Sequence, residues 1–335
     1  MFAVTALCYC PSLNGPFVLD DAPNLELLCV RGGIDSFDAF VEFVSSAQAG
    51  PLGRPLSLAS FVADSRTWPA DPLSFRITNL LIHFVNGLLV LFLAQAILAL
   101  HVNRRTAWQL AVICMAVWII HPLLVSTTAY VIQRMTQLAS LFVLTGLLSY
   151  LHGRKMLDSQ QGRGWAWILL GMGASGALAI LSKESGILLP LFALVIELTV
   201  FSHTSLARGR KTALLALLVV PSLAMPAYVV LNWDALQAGF EFRPFSMGER
   251  LLTQAVVLVE YLRQVFAPSL SGLGIIHDDF PVSRSLLNPV STILSLLVIV
   301  TIVAGAVWQR RRWPLVSFGI LWFVAGHSLE AGPLP

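Results

Sequence analysis

Two adjacent carboxylates, Asp20 and Asp21, stand near the start of the chain, directly after a short apolar segment at 1–13. A carboxylate can accept the proton of an incoming hydroxyl group, so this pair is a candidate general base. Asp, Pro and Asn also favour turns, and all three occur within 15–24. Local sequence therefore favours an ordinary turn and a catalytic pair equally, and other parts of the chain must distinguish them.

Cations and polar groups stand at the predicted ends of several apolar segments, where they could form a site with the aspartates. Lys183 and Glu184 lie in a very short polar connection, and Arg134 opens another apolar segment. Arginine suits phosphate recognition because its planar guanidinium presents a fork of N–H donors. A polar turn at Lys183-Glu184 and a snorkelling Arg134 are the structural alternatives. The further candidates on this side are Arg54, Arg76, Asn79, His83 and His121. The two histidines could equally be hydrogen-bonded side chains between helices.

A second acidic group, His277-Asp278-Asp279, lies late in the chain. Asp278 and Asp279, together with the first aspartate pair, could bind a divalent cation through oxygen ligands, although a solvated loop explains them as well. The four cysteines show no metal-ligand spacing. Walker, Rossmann, zinc and Gly-x-Ser-x-Gly motifs are missing from the sequence, and no basic residues interleave with aromatics as in nucleic-acid binders.

The composition identifies the environment in which these residues work. Of the 335 residues, 56% are hydrophobic and only 12% are charged, whereas soluble domains carry about 25% charged residues. Several apolar segments approach 20 residues, the length that a helix needs to cross a bilayer. The sequence therefore predicts an all-α, polytopic membrane helical bundle of about nine spans.

The apolar segments divide the chain into alternating loops and spans. In order these are a partial span at 1–13, an outer loop at 14–71, spans at 72–231, an outer loop at 232–288 and spans at 289–326. We expect a single transmembrane domain over 1–335 that is truncated at both ends. The 36–46 segment has apolar residues at helical spacing and predicts an amphipathic interfacial helix. The 250–266 segment predicts a re-entrant or interfacial helix on the outer side.

The orientation follows from the basic residues of the short loops. Four such loops are rich in Lys and Arg and carry one acidic residue, Asp158, which is typical of cytoplasmic loops. Asp20, Asp21 and Lys183 then face the opposite, extracytoplasmic side. This side would be periplasmic, at the inner membrane, if the source is bacterial.

The order of the polar motifs resembles the multi-spanning GT-C class of glycosyltransferases. It is most similar to the transmembrane-and-tetratricopeptide-repeat O-mannosyltransferases and their bacterial relatives. The segments that carry the resemblance are Phe17–Asn24, Arg54–Ser57, Asn79–His83, His121-Pro122 followed by Arg134, Lys183–Gly186 and His277–Pro281. The resemblance implies a membrane enzyme that moves a hexose or pentose from a polyprenyl-phosphate carrier to a protein or glycan hydroxyl. Its partners would be this donor, the acceptor and membrane lipid, with no nucleic acid.

The resemblance also implies roles for the candidate residues. Asp20 or Asp21 would be the base, with a slight preference for Asp21 because it lies further from the predicted span. Arg134 and Lys183 would bind the donor phosphate, with Arg54 and His121 behind them. Glu184 would orient Lys183, and Asn79 and His83 would support the site. A single base and a phosphate leaving group predict inversion, although two carboxylates leave double displacement open.

Two other classes of function compete with glycosyl transfer. A transporter or flippase for a lipid-linked sugar would need polar residues through the bilayer depth and an internal repeat. The polar candidates gather at one side instead, and no convincing repeat is present. A non-catalytic membrane scaffold predicts that neutralising Asp20, Arg134 and Lys183 leaves function intact.

Overall fold

The computed structural model describes residues 1–46, 53–157, 159–269, 274 and 280–333, and no side chains at 30 and 31. Helices form the regular structure of these residues, with one isolated bridge between Ser285 and Asn288 and no strand. The predicted all-α class is therefore confirmed. The chain divides into two compact units, Met1–Leu189 and Pro190–Pro335. A single domain over the whole chain stays a prediction.

The first unit contains ten α-helices and a π-helical turn among its described residues. These helices are α1 (Phe2–Tyr9), α2 (Asp21–Leu25), α3 (Phe37–Val44), α4 (Pro55–Phe61), α5 (Pro72–Leu98), α6 (Arg104–Ile119), α7 (Leu124–Ala129), α8 (Arg134–Met156), α9 (Gln161–Ala166) and α10 (Gly173–Ser182). The π-helical turn, Trp167–Met172, joins α9 to α10. A short 3₁₀ turn at Val131–Gln133 stands directly before α8. A second one at Glu184–Leu188 follows α10 after a single residue, Lys183.

Local sequence signals explain where the long helices begin. The Asp71 side chain accepts a hydrogen bond from the Leu73 amide, and Pro72 occupies the first turn of α5, where its missing N–H costs nothing. Asn103 caps α6 in the same way through the Thr106 amide, at 3.0 Å. Ser36 caps α3 through the Ala39 amide. Each cap satisfies an N–H that the helix itself leaves unpaired.

The four longest helical segments of the first unit pack so that α5 and α8 run parallel. Arg134 at the start of α8 contacts Phe75 near the start of α5, and Lys155 near the end of α8 donates to the Ala96 carbonyl near the end of α5. α6 runs in the opposite direction beside α5, since His83 in the first half of α5 bonds to the Ile119 carbonyl at the end of α6. α10 runs opposite to α8, since Lys183, directly after α10, donates to Thr136 in the first turn of α8. The starts of α5 and α8 and the ends of α6 and α10 therefore lie at one end of the unit.

Small residues allow α8 and the 161–182 helical segment to approach closely. A Cβ atom on Gly153 would lie 2.6 Å from the Gly164 carbonyl oxygen, and one on Gly164 would lie 2.9 Å from the Gly153 oxygen. Close contact of backbones through glycine is a common form of helix packing in membranes. The two glycines thus explain the tight packing at this end of the helix pair.

Five helical segments are long and apolar enough to cross a membrane. They are Pro72–Leu98, Val131–Met156, Gln161–Ser182, Arg208–Leu231 and Ser291–Gln309. Phe2–Ser12 and Pro314–His327 are shorter apolar helices, and α6, with 16 residues, falls below the length of these five. The chain is thus a multi-pass integral membrane protein, and the total of about nine spans stays a prediction.

Helices joined by turns and loops form the second unit, together with the isolated bridge between Ser285 and Asn288. Its helices are α11 (Leu189–Thr199, which begins at the last residue of the first unit), α12 (Arg208–Ser222), α13 (Ala224–Leu231), α14 (Trp233–Ala238), α15 (Met247–Phe266), α16 (Ser291–Gln309) and α17 (Pro314–His327). α15 corresponds to the predicted amphipathic 250–266 segment. Ser246 and Glu249 form a capping box at its start, and an exposed Glu260–Arg263 ion pair lies on its polar side. Its position relative to a membrane stays a prediction.

Candidate active site

The aspartate pair lies in a turn that leads into α2. Leu19, directly before the pair, has a left-handed backbone with φ 45°, which is uncommon for a residue with a side chain. Asp20 is exposed, whereas Asp21 is fully buried at the first position of α2. The two carboxylates therefore point into different environments, although they are adjacent in sequence.

The Asp21 carboxylate is bonded to two backbone amides. One oxygen accepts from the Val18 amide at 2.9 Å and the other from the Ile132 amide at 2.8 Å. Burial raises the pKa of Asp21, and these hydrogen bonds and the Arg76 charge oppose the rise. The carboxylate thus joins the aspartate turn to the segment before α8.

Arg76 makes a second connection between the same two segments. Its buried guanidinium donates to the carbonyls of Leu13, Gly15 and Pro16 on one side and to the Ala129 carbonyl, at 3.0 Å, on the other. Several well-aligned acceptors around one guanidinium fix the backbone on both sides of it. The position of the aspartate turn is therefore determined by residues 129–132.

Tyr130 completes this connection and was missed by sequence reasoning. The Asp20 amide donates to its phenol oxygen at 2.8 Å. Burial and the nearby carboxylates of Asp20 and Asp21 raise the pKa of Tyr130 to about 12. The sequence signal was weak, because a lone tyrosine before Gln133-Arg134 has no characteristic spacing.

Arg134 was predicted to bind the donor phosphate, and the structure instead places it in the protein interior. Its side chain is fully buried and forms an ion pair with Asp64. Its other acceptors are Asn79 Oδ1 at 2.8 Å, the Ser60 carbonyl at 3.0 Å and the Phe75 carbonyl at 2.8 Å. The rings of Phe61 and Phe75 lie 4.6 Å and 5.7 Å from the guanidinium carbon.

Asp64 is the partner that sequence reasoning missed. It follows α4, has a side chain only 7% exposed, and also accepts from the Thr78 hydroxyl. A single aspartate after an apolar helix carries no periodic signal, so only the charge balance of the buried Arg134 could have suggested it. The Arg134–Asp64 pair joins α4, α5 and α8.

Lys183 lies half-buried beside the first turn of α8. Its ammonium group donates to the Thr136 hydroxyl at 3.1 Å, and this hydroxyl donates to the Gln133 side chain at 2.7 Å. Gln133 and Thr136 are also half-buried. Gln133, Thr136 and Lys183 therefore form a polar row at the start of α8, directly after the residues 129–132 to which the aspartate turn is bonded.

Glu184 was predicted to orient Lys183, but the cation paired with it is Arg54. The Arg54 guanidinium donates to both Glu184 carboxylate oxygens, with its Nη2 at 2.9 Å, and the two side chains are 23% and 21% exposed. Arg54 has a left-handed backbone with φ 48° and precedes α4. Leu19 and Arg54 are the non-glycine residues with positive φ in the described ranges, and strained residues of this kind cluster at functional sites.

The remaining predicted polar residues have structural contacts. Asn79 is buried, and its amide donates to the carbonyls of Thr128 and Val131 while its oxygen accepts from Arg134. His83 is buried and bonds to the Ile119 carbonyl, which is the interhelical alternative. His121 accepts from the Leu123 amide through Nδ1, at 3.3 Å, and lies half-buried after α6.

The predicted cation-binding residues Asp278 and Asp279 lie outside the described residues. Within the described part of the chain, no group of three or more His, Cys, Asp or Glu side chains could hold a metal ion. A divalent cation therefore stays a prediction.

Comparison with known proteins gives one group of relatives. The chain is similar to protein O-mannosyl-transferase TMTC4. It is 27% identical to the Mus musculus protein over 203 residues, and 25% identical to the Homo sapiens protein over 199 residues. Each match covers 55% of this chain and 27% of the relative, so the chain matches about a quarter of the length of these relatives. No family model and no solved structure matches it. The resemblance to the tetratricopeptide-repeat O-mannosyltransferases is thereby confirmed as a distant similarity.

Proposed function

We propose that the chain forms the transmembrane part of a glycosyltransferase. The enzyme moves a sugar from a polyprenyl-phosphate carrier to a protein or glycan hydroxyl on the extracytoplasmic side. The observation that carries this proposal is the exposed Asp20 carboxylate. It lies on a turn that three contacts fix to residues 129–132, next to the polar row that includes Lys183. The similarity to protein O-mannosyl-transferase TMTC4 supplies the class of reaction.

Exposure distinguishes the two candidate bases. Asp20 is exposed to an incoming acceptor, whereas the Asp21 carboxylate is buried and accepts two backbone amides. Asp20 therefore acts as the base and Asp21 positions the turn, which revises the preference for Asp21. One available carboxylate supports a single displacement with inversion over a double displacement, which needs two.

The reaction balances with the charged groups at this end of the unit. The oxygen of the acceptor hydroxyl forms a bond to the anomeric carbon, and Asp20 accepts the proton that this hydroxyl loses. The bond from that carbon to the phosphate oxygen breaks, and polyprenyl phosphate leaves with the electron pair. Lys183 and Arg54 are the half-buried cations that stabilise this phosphate. Arg134 contributes to the frame of the site instead of binding the donor.

The packing of the first unit supports an extracytoplasmic site. Asp20 and Lys183 belong to the end where α5 and α8 begin and α10 ends. Arg104 opens α6 and Lys155 lies in the last turn of α8, at the opposite end. Basic residues in short loops mark the cytoplasmic side. The proposed site would then face away from the cytoplasm.

α3 supports a location of the site near the membrane surface. Ala39 and Phe43 are buried, whereas Phe37 and Val41 are 77% and 42% exposed. A helix that buries one apolar face and exposes further apolar side chains suits an interface with lipid headgroups. The predicted interfacial helix would lie beside the entrance for a lipid-linked donor.

Transfer from a defined donor tests the proposal. The full-length protein in lipid nanodiscs is given radiolabelled polyprenyl-phosphate mannose and an acceptor peptide rich in Ser and Thr. Asp20→Asn should lower the rate about 100-fold or more, since general-base catalysis contributes about 10²–10⁴-fold. Asp35→Asn, an exposed aspartate in the same outer segment, is the matched control and should retain the wild-type rate. Undiminished transfer by Asp20→Asn would contradict the assignment.

A second measurement tests the phosphate cations. Lys183→Gln should raise the KM for the donor more strongly than the KM for the acceptor, because its charge stabilises the lipid phosphate in both the ground and the transition state. The donor KM of Lys183→Arg should lie between those of the wild type and Lys183→Gln, because arginine keeps the charge. Equal effects on donor and acceptor would assign Lys183 a different role.

A further inference from the structure

Tyr130 holds the backbone of Asp20. The Asp20 amide donates to the phenol oxygen at 2.8 Å, and the Tyr130 side chain is buried. The Asp20 carboxylate itself is exposed. The phenol therefore fixes the backbone from which this carboxylate projects.

The protonation state of Tyr130 suits this role. Burial is the main cause that raises the pKa of Tyr130 to about 12, and the negative charges of Asp20 and Asp21 add to it. The phenol therefore keeps its proton at neutral pH. A neutral phenol oxygen accepts from the Asp20 amide without placing a third negative charge beside the two carboxylates.

The frame around Tyr130 is rigid, so the contact can fix an orientation. The Tyr130 side chain is 6% exposed and belongs to a buried cluster with Leu25, Phe75 and Met135. Its backbone amide donates to the Ser126 carbonyl at 3.1 Å and so caps the end of α7. A side chain held by packing on a defined backbone can orient a reacting group better than a surface loop can.

The turn that carries Asp20 needs such an external contact. Leu19 is 50% exposed and has a left-handed backbone, so the turn is conformationally costly and gains little from its own packing. Asp21 fixes only the residue that follows Asp20. Without the phenol, the Asp20 amide would lose its acceptor and the turn would lose its contact with Tyr130.

We propose that Tyr130 is a positioning residue that holds the Asp20 backbone amide and, through the backbone, places the carboxylate in the orientation required for proton transfer. The proposal rests on the function proposed above, since it requires Asp20 to be the base. Tyr130 touches neither the donor nor the acceptor in this role. It acts only through Asp20.

A double-mutant cycle tests the coupling. Tyr130→Phe removes the hydroxyl and keeps the ring, so the buried cluster stays filled. We expect kcat to fall about tenfold, the factor that corresponds to about one hydrogen bond, while the donor KM stays within about twofold. In the Asp20→Asn background the same substitution should cause no further loss. Tyr228→Phe, at an exposed tyrosine of the second unit, is the matched control.

Hydrogen exchange gives a readout that does not depend on turnover. The Asp20 amide should exchange about tenfold faster in Tyr130→Phe, because it loses its acceptor. The Asp21 amide donates to the Val18 carbonyl at 2.9 Å and serves as the internal control, so its rate should not change. An unchanged rate at Asp20, or an equal loss of kcat in both backgrounds of the cycle, would overturn the positioning role. If Asp20→Asn transfers sugar at the wild-type rate while the Asp20 amide exchanges faster in Tyr130→Phe, Asp20 is not the base, although the contact between Tyr130 and the Asp20 amide exists.

Discussion

Removal of the Arg134 guanidinium should destabilise the protein strongly, whatever its effect on catalysis. Arg134 is fully buried, and its partner Asp64 has a side chain that is 7% exposed. Arg134→Met keeps much of the volume but leaves the Asp64 carboxylate buried without its cation. The carbonyls of Ser60 and Phe75 also lose their donors.

The cost follows from the pair and its additional acceptors. Breaking a buried ion pair by removing one partner costs about 3–5 kcal/mol, because the other charge is left uncompensated. Each buried acceptor left without a donor adds about 1–3 kcal/mol. We therefore expect a loss of at least about 3–5 kcal/mol. Arg134→Lys keeps the charge without the planar fork and should lose less.

Thermal unfolding in detergent measures this loss, since the nine tryptophans provide a fluorescence signal. The Arg134→Met melting temperature should fall by on the order of 10 °C. Adding Asp64→Asn should recover part of the loss, because it removes the uncompensated charge. If Arg134→Met melts within about 2 °C of the wild type and still loses donor transfer, the guanidinium acts on the substrate and the structural interpretation is refuted.

Three further predictions concern other parts of the site. Burial raises the pKa of Asp21, so its contribution to stability is fully present below about pH 3.9 and is lost as pH rises through the higher folded-state value. The melting temperature of the wild type relative to Asp21→Asn should therefore fall over that interval, and a constant difference would contradict this. Glu184→Gln should change stability by about 1 kcal/mol or less, since its pair with Arg54 is partly exposed, but should raise the donor KM in the transfer assay. Gly186→Ala should lower the melting temperature, because its Cβ would lie 2.4 Å from the Ala179 carbonyl carbon, whereas Gly173→Ala has open space and should be tolerated.

The long helices could be predicted from the sequence because their signals are local. The predicted span regions 72–231 and 289–326 contain the long helices Pro72–Leu98 and Ser291–Gln309. An apolar run and a capping residue are both visible within one window of sequence. The end of the 72–231 region forms two helices, Arg208–Ser222 and Ala224–Leu231, which separate at Leu223, near Pro221 and Pro226. Proline removes a backbone donor, so it interrupts the hydrogen bonds of a helix.

The partners of the charged residues could not be predicted, because pairing depends on packing between distant segments. Arg134 pairs with Asp64, 70 residues earlier, and Glu184 pairs with Arg54, 130 residues earlier. Sequence reasoning joined Glu184 to its neighbour Lys183 instead. The sequence also could not predict which of the two adjacent aspartates is buried. Only Asp21 accepts from the Ile132 amide, and this contact depends on the packing of a distant segment. A charge near a span end therefore indicates a site without assigning a role.

The distribution of burial decides which charges can meet a substrate. Arg134 and Asp21 are enclosed and bonded to the protein, so they build the frame. Asp20, Lys183 and Arg54 remain exposed or half-buried at the same end of the first unit. A hydroxyl that attacks a sugar phosphate needs one group to accept a proton and cations to stabilise the leaving phosphate. In the proposed mechanism Asp20 would accept the proton, and Lys183 and Arg54 would stabilise the phosphate. Glu184 beside Arg54 would keep that cation in place until the phosphate competes for it.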